Sequence, residues 1–270
     1  MTATTAMSPA VTYQTVQQLT EDEIYAVPRI PAPSPLSRLA TLASVALSPL
    51  LLLATVVVWL LPASRVRSWF NRNVAPRLLE LLAAKTTNQR RLLLARVQGK
   101  VLDVGTGTGA YLRFYQNASH VTCLEPCVAY HEAIRKANTV GLADYQLSVR
   151  SELLQDFESA QRFDWIVVGN MLCEVDDVEA AVERLYQLLQ PGTGRLYFSE
   201  HVGSPVGTWR RTLQDWIDPT HRRIACHCNR DSVEAIQARF EEVVAWPMEN
   251  VRIAGGPLVM GLARRVEPDL

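Results

Sequence analysis

Val101-Leu102-Asp103-Val104-Gly105-Thr106-Gly107-Thr108-Gly109-Ala110 is a short apolar run, an acidic residue and then glycine at alternate positions, leading into Tyr111-Leu112-Arg113-Phe114-Tyr115. The apolar residues predict a buried strand ending at Val104, a tight turn through the glycines and a helix opening near Ala110. Glycine suits such a turn because it adopts left-handed backbone angles and lets a ligand approach the main chain. The helix would aim unpaired N–H groups and a positive dipole end into the crevice. Together these make the first β-loop-α unit of a nucleotide-type α/β sheet. Taken alone the loop also fits a dinucleotide fingerprint, Gly105-x-Gly107-x-x-Ala110, so it does not identify the ligand.

Downstream the pattern repeats. His120 to Pro126 reads as a second strand with Glu125 at its tip, twenty residues beyond Gly105, where a carboxylate can accept both hydroxyls of a ribose. A helix over about 130–138 follows, then a strand near 145–149 and the polar Arg150-Ser151-Glu152, placed to meet an adenine edge. Phe163 to Asn170 is a continuous apolar run of the buried parallel kind, with Asn170-Met171-Leu172-Cys173 facing the same crevice. A helix from Asp176-Asp177 to Leu189 stops at Pro191-Gly192, and a fifth strand from Gly194 ends in Glu200-His201. Ligands of such sheets bind beyond the carboxyl ends of the strands, which places Glu200 and His201 at the substrate. A helical segment over 209–218, a stop at Asp218-Pro219, a helix over 231–239 and two final strands, 241–246 and 258–263, complete the domain. The last two read as a hairpin adding an antiparallel edge. His131 reads as an exposed helix residue.

Upstream, residues 1–35 are rich in Thr, Ala, Pro and Ser and read as a disordered tail. No charged residue occurs from Leu39 to Ser64, and 42–61 is an apolar run of twenty residues. As a helix it spans about 30 Å, the thickness of a bilayer core. A membrane anchor over 36–63 is therefore expected, with amphipathic linker helices over 64–98 and the catalytic domain over 99–270. Arginines following the run (Arg65, Arg67, Arg72, Arg77) outnumber those before it (Arg29, Arg38), which favours a cytosol-facing domain. Pro49 leaves a kinked hairpin in one leaflet open beside a full span. Basic and acidic residues balance at 27 each, so charge offers no argument for nucleic acid, and none is expected as a partner. The five cysteines, none before Cys123, form no disulfide framework and suggest a reducing compartment.

With Asp103 two residues ahead of the first glycine, a third alternate glycine at 109, no Tyr-x-x-x-Lys pair and a closing hairpin, the chain resembles class I S-adenosylmethionine-dependent methyltransferases. Within them it is similar to the membrane-anchored methyltransferase-like 7 family, the alkyl thiol methyltransferases. The residues that carry this are Asp103 to Ala110, Phe114-Tyr115, Val121 to Pro126, Leu172-Cys173, Leu189 to Gly192, Glu200-His201-Val202, Trp209, Gln214, Asp218-Pro219, Cys228 and Met260-Gly261. The family has Asp where Glu125 stands, Cys where Thr106 stands, and Asp-Gly where Cys226-His227 precede Cys228.

The resemblance implies a Rossmann-like α/β sheet, mostly parallel with an antiparallel C-terminal hairpin, behind an N-terminal anchor helix. It implies S-adenosylmethionine as cofactor. Gly105, Gly107 and Gly109, with Thr106, shape the loop around the methionine part and Asp103 supports it. Glu125 with Pro126 holds the ribose, Ser151 and Glu152 meet the adenine, and Asn170, Met171 and Leu172 line the adenine or methyl side. The acceptor would be a small apolar thiol, with His201 accepting or steering its proton and Glu200 orienting the imidazole. A thiol near its ordinary pKa is already a few per cent thiolate at neutral pH, so no strong base is required. Cys226-His227-Cys228 suggests a metal, but three consecutive residues cannot readily meet one tetrahedral ion, and no metal site is expected there. A packing or substrate-lid role is expected instead. Methylation of oxygen or carbon on a lipid or quinone-like acceptor, and a non-catalytic membrane scaffold, remain as alternatives. Membrane lipid is an expected partner, at the endoplasmic reticulum or a lipid droplet.

Overall fold

A computed structural model of the chain describes residues 60–74, 76–77, 87–140, 144–224, 226–253 and 256–266. The tail over 1–35 and all but the end of the apolar run 42–61 lie outside the described residues. Among the described residues no helix is long and apolar enough to cross a membrane.

Two helices, α1 (Ala63–Asn73) and α2 (Thr87–Leu94), precede a seven-stranded sheet. Its strands are β1 (Gln98–Val104), β2 (Asn117–Leu124), β3 (Gln146–Arg150), β4 (Trp165–Gly169), β5 (Arg195–His201), β6 (Glu242–Ile253) and β7 (Gly256–Arg264). The spatial order is β3-β2-β1-β4-β5-β7-β6. The first five run parallel and β7 runs antiparallel to both β5 and β6. This is the Rossmann-like sheet with an antiparallel hairpin that the sequence predicts. Helices α3 (His131–Val140), α4 (Val178–Leu188), α5 (Trp209–Ile224) and α6 (Ser232–Arg239) complete the described elements.

The central strands look uniformly apolar, yet their side chains still divide by parity. Leu102, Val104, Ile166, Val168, Leu196 and Phe198 share one face with α4 and α6. Val101, Val121, Cys123, Trp165, Val167 and Tyr197 share the other with α2, α3 and the segment after the glycine loop. A strand buried on both faces has apolar residues at every position, and period two decides only which helix layer each one meets. Asp177 and Asp231 start α4 and α6 by accepting the N–H groups of Ala180 (2.8 Å) and Glu234 (3.3 Å).

The strand order reverses between β1 and β4, opening the crevice of a doubly wound sheet there. Gly105, Glu125, Asn170 and the Glu200-His201 pair thus meet along one edge.

Three expectations need correction. No α-helix opens near Ala110; the chain turns through 108–111 and makes a single 3₁₀ turn, Leu112–Phe114. Only seven residues separate Gly109 from β2, and Leu112, Phe114 and Tyr115 are all buried, a spacing that one α-helical face does not provide. The helix-dipole argument therefore does not apply at this loop. Second, α5 does not stop at Pro219 but continues to Ile224. A proline there removes one helix hydrogen bond, and tertiary bonds from Gln214 and Asp218 brace the turns before it. Gln214 accepts the Ser204 N–H at 2.7 Å and donates to the Cys228 carbonyl at 2.6 Å. Asp218 pairs with Arg222 at 3.0 Å. Third, the hairpin is longer than expected, its strands reaching Ile253 and starting at Gly256.

Gly261 shows how closely the hairpin is seated. A Cβ there would fall 2.2 Å from Phe198 Cζ and 2.4 Å from the Val244 carbonyl oxygen. Gly261→Ala is expected to destabilise the fold by about 1–3 kcal/mol through overpacking. Urea unfolding monitored by circular dichroism checks this, and an unchanged midpoint would contradict the packing described.

Candidate active site

The glycine loop lies across the ends of β1 and β2. Gly105, Gly107 and Gly109 all have positive φ, at 69°, 58° and 81°. A Cβ on Gly105 would come within 3.0 Å of Met171 Cγ, so side-chain-free backbone here is what lets β1's loop pack on β4's. Asp103 is buried; its carboxylate accepts the Tyr115 hydroxyl at 2.7 Å, and Thr106 Oγ1 donates to its carbonyl at 3.0 Å. Burial pushes the Asp103 carboxyl up to about 7, against the opposing bonds from Tyr115 and Thr106.

Glu125 is buried at the tip of β2. One carboxylate oxygen accepts the Gly107 N–H at 2.7 Å and the other the Cys127 N–H at 2.8 Å. Burial raises its pKa while those N–H groups oppose the rise. His131 is not an exposed helix residue as expected: it is buried, and its Nε2 donates to the Glu125 carbonyl at 2.7 Å. Pro126 stands exposed beside it.

The adenine-side residues sit at the rim. Ser151 is exposed, and Glu152 turns onto Arg150 at 3.1 Å, a surface ion pair that lowers its pKa. The preceding residue joins β3 to the site, the Arg150 carbonyl accepting the Glu125 N–H at 2.9 Å.

Beyond β4, Asn170 takes a left-handed φ of 53°, its N–H donates to the Ser199 carbonyl at 2.8 Å, and its buried Oδ1 has no protein partner. The turn presents the N–H groups of Met171 and Leu172 to Glu200 Oε1, at 2.9 and 3.2 Å. Two corrections follow. The Leu172 side chain is fully buried in the core and does not line the crevice; only its backbone serves the site. Glu200 braces this turn rather than orienting His201, because neighbouring strand residues point to opposite faces. Burial lifts Glu200 to about 7 despite these N–H groups, and its Oε2 is buried without a partner.

His201 is buried, and its Nε2 lies 3.1 Å from Cys226 Sγ and 3.3 Å from the His227 carbonyl. The residues 226–230 lie over the ends of β4 and β5. The His227 N–H donates to the Cys173 carbonyl at 2.8 Å, Gly203 N–H to the Arg230 carbonyl at 2.9 Å, and Arg230 Nη1 to the Leu172 carbonyl at 3.1 Å. The consecutive Cys226-His227-Cys228 do not converge. His227 lies 3.8 Å from Asp218, and the Cys228 N–H donates to Asp218 at 3.1 Å. Cys226 instead joins Cys173 and His201, their three ligand atoms within 4.8 Å of one another. Hydrogen bonding with Cys173, and after it with His201, outweighs burial and pulls the Cys226 thiol well below its ordinary range. Burial works against a charged His201, but Cys226 beside it raises the imidazole.

Sequence reasoning missed a further group below the crevice. Arg90 of α2 is buried with its guanidinium 4.6 Å from the Tyr111 ring centroid, and Tyr111 meets Tyr197 edge-on at 6.2 Å. A Cβ on Gly169 would lie 2.6 Å from the Tyr111 hydroxyl. The only sequence signal was an arginine within an apolar helix face.

The Methyltransferase domain family matches residues 68–243. The thiol S-methyltransferase TMT1B of Rattus norvegicus is 29% identical over 172 residues, 60% of this chain and 69% of its own. That of Homo sapiens is 26% identical over 209 residues, 70% of this chain and 84% of its own. The crystal structure of the N-methyltransferase NodS from Bradyrhizobium japonicum WM9 superposes with a TM-score of 0.50 at 16% identity, over 68% of this chain and 97% of its own. That likeness is one of fold.

A pH dependence follows from Asp103. Its carboxyl ionises at 3.8 ordinarily and at about 7 in the fold. The raised folded value means its contribution to stability is present below pH ~4 and is lost as pH rises toward ~7. Asp103→Asn is expected to reduce the fall in melting temperature across that interval. Parallel pH profiles of the two proteins check this, and identical slopes would refute it.

Proposed function

The chain belongs to the Methyltransferase domain family, and from that premise we propose that it moves the methyl group of S-adenosylmethionine onto the sulfur of a small apolar thiol at a membrane. S-adenosylmethionine is the enzyme's cofactor. When bound, it supplies an electrophilic methyl on a sulfonium.

The observation that carries the cofactor assignment is the Glu125 carboxylate at the tip of β2 beside the glycine loop. It accepts two main-chain N–H groups, and a carboxylate has about four acceptor positions. Two therefore remain for ribose hydroxyls. Gly105, Gly107 and Gly109 give a backbone path without side chains for the methionine part, with Asp103 and Thr106 fixing the strand end. Asn170 Oδ1 and Glu200 Oε2, both buried without protein partners, suit a polar ligand. Pro126, Ser151 and Glu152 form the adenine rim, and Met171 packs between the loops.

The thiol reading is supported by the curated thiol S-methyltransferases at 26–29% identity and by the sulfur-rich acceptor side. His201 steers the acceptor sulfur toward the crevice, and Glu200 is a positioning residue that holds the 170–172 turn. Transfer needs the sulfur in line with the methyl, about 3 Å away, in a site poor in water.

The membrane reading is supported by the apolar run 42–61 and by the face that follows it. Helix α1 packs on α5, with Arg67 Nη2 donating to the Arg222 carbonyl at 3.2 Å and Arg223 Nη2 to the Leu61 carbonyl at 2.7 Å. Trp69 of α1 and Trp209, Leu213 and Trp216 of α5 are exposed among arginines. Tryptophan and arginine together suit a membrane–water interface. On this reading the domain faces the cytosol, at the endoplasmic reticulum or a lipid droplet.

Glu125→Ala is expected to weaken S-adenosylmethionine binding at least tenfold by calorimetry; unchanged affinity would refute the assignment. Membranes from expressing cells, washed with alkaline carbonate and given cofactor with a panel of thiols and phenols, are expected to methylate the thiols. Methylation of phenols alone would overturn the thiol reading, and loss of the protein from the washed pellet would overturn the anchor.

A further inference from the structure

We propose that Cys173 Sγ, His201 Nε2 and Cys226 Sγ bind one zinc ion whose fourth position takes the acceptor thiol. This rests on the thiol reading above for the identity of the fourth ligand, but the ion site itself stands on geometry alone.

Three sequence segments supply the ligands: the turn after β4, the last residue of β5, and the residues laid over both strands. The ligand atoms lie within 4.8 Å of one another, with His201 Nε2 and Cys226 Sγ at 3.1 Å. Around a tetrahedral zinc with bonds of about 2.1 Å to nitrogen and 2.3 Å to sulfur, neighbouring ligand atoms sit about 3.5–3.8 Å apart. Opening the closest pair by about 0.5 Å and closing the widest by at most about 1 Å completes that geometry. Two thiolates and one imidazole are soft donors of the kind that select zinc. Three protein ligands with one open place is the arrangement of catalytic rather than structural zinc.

The surroundings are built to hold these ligands. The Cys226 segment cannot drift from Cys173, because the next residue's N–H donates to the Cys173 carbonyl at 2.8 Å. The turn carrying Cys173 is held by Glu200 and Arg230. Cys173 and His201 are buried while Cys226 is half-buried, so the open side faces the Cys226 edge. The Cys226 N–H donates to the His221 carbonyl at 3.3 Å, which ties the ligand's backbone to the end of α5.

The chemistry balances. The acceptor thiol loses its proton to solvent and binds the ion as a thiolate. Its sulfur then forms a bond to the methyl carbon while the carbon–sulfonium bond breaks. That bond's electron pair goes to the sulfonium sulfur, leaving a neutral thioether. The methylated product is itself a neutral thioether, a weak zinc ligand, and departs. The ion remains divalent throughout. Two protein thiolates cancel its charge, so the bound acceptor keeps its electron density for attack. His201 thereby steers the sulfur as a ligand and not as a base.

The test uses the full-length chain purified in detergent without chelator. Elemental analysis is expected to give about one zinc per chain, and cobalt substitution a thiolate-to-cobalt charge-transfer band. Cys173→Ser, His201→Asn and Cys226→Ser, checked for native circular dichroism, are each expected to lower the metal content severalfold. His227→Asn is expected to leave it unchanged. An alkanethiol is expected to shift the cobalt spectrum. A metal-free wild-type protein that still methylates thiols, or a Cys173–Cys226 disulfide in its place, would overturn the zinc site while leaving the thiol reading intact. One zinc per chain with methylation of phenols alone and no thiol-induced spectral shift would overturn the thiol reading and the fourth ligand, leaving the ion site standing.

Discussion

Glu125 ties together four parts of this molecule's active edge through its buried carboxylate and its own peptide groups. Its two oxygens take the N–H groups of Gly107 and Cys127, its own N–H reaches β3, and its carbonyl receives His131 from α3. Hydrogen bonds to an ionised acceptor are roughly twice as strong as neutral ones. Burial makes the charge costly, and the two N–H groups offset part of that cost. The glycine loop is held in shape by a charge at the neighbouring strand tip, in the place where a helix terminus would otherwise meet its free N–H groups.

The same device recurs three strands away, across β1 and β4. Glu200 is buried at the end of β5 and gathers the N–H groups of Met171 and Leu172. Each carboxylate fixes a turn belonging to a different strand, so the shape of the crevice depends on pairs of strand ends rather than on single loops. Asn170 completes the second turn by adopting backbone angles that few residues besides glycine tolerate.

Strand identities and the sheet's polarity were legible because apolar runs, glycine turns and helix caps are local signals. Glu125, Asp103 and the glycines were legible for the same reason: they sit where a strand visibly ends. The 3₁₀ turn was not, because its length is set by how far Tyr115 must reach to Asp103, a tertiary distance. Pro219 misled because its helix is held by Gln214 and Asp218 bonds to residues ten to fourteen positions away. His131 and Leu172 misled because exposure is decided by what packs on them. The Cys173–His201–Cys226 cluster draws on positions 173, 201 and 226; reading Cys226 with its chain neighbours pointed to the wrong partners.

The antiparallel seating of β7 has a separate consequence. β7 begins at Gly256 and its Leu258 pairs with His201, so the start of β7 lies on the same edge as the active strand ends. On the function proposed above, the donor is held by 103–126, 151–152 and the turn after β4, and the acceptor meets His201 beneath the 226–230 segment. Changes confined to that overlying segment would therefore bear on which nucleophile is accepted and leave the contacts of Glu125 with Gly107 and Cys127 as they are.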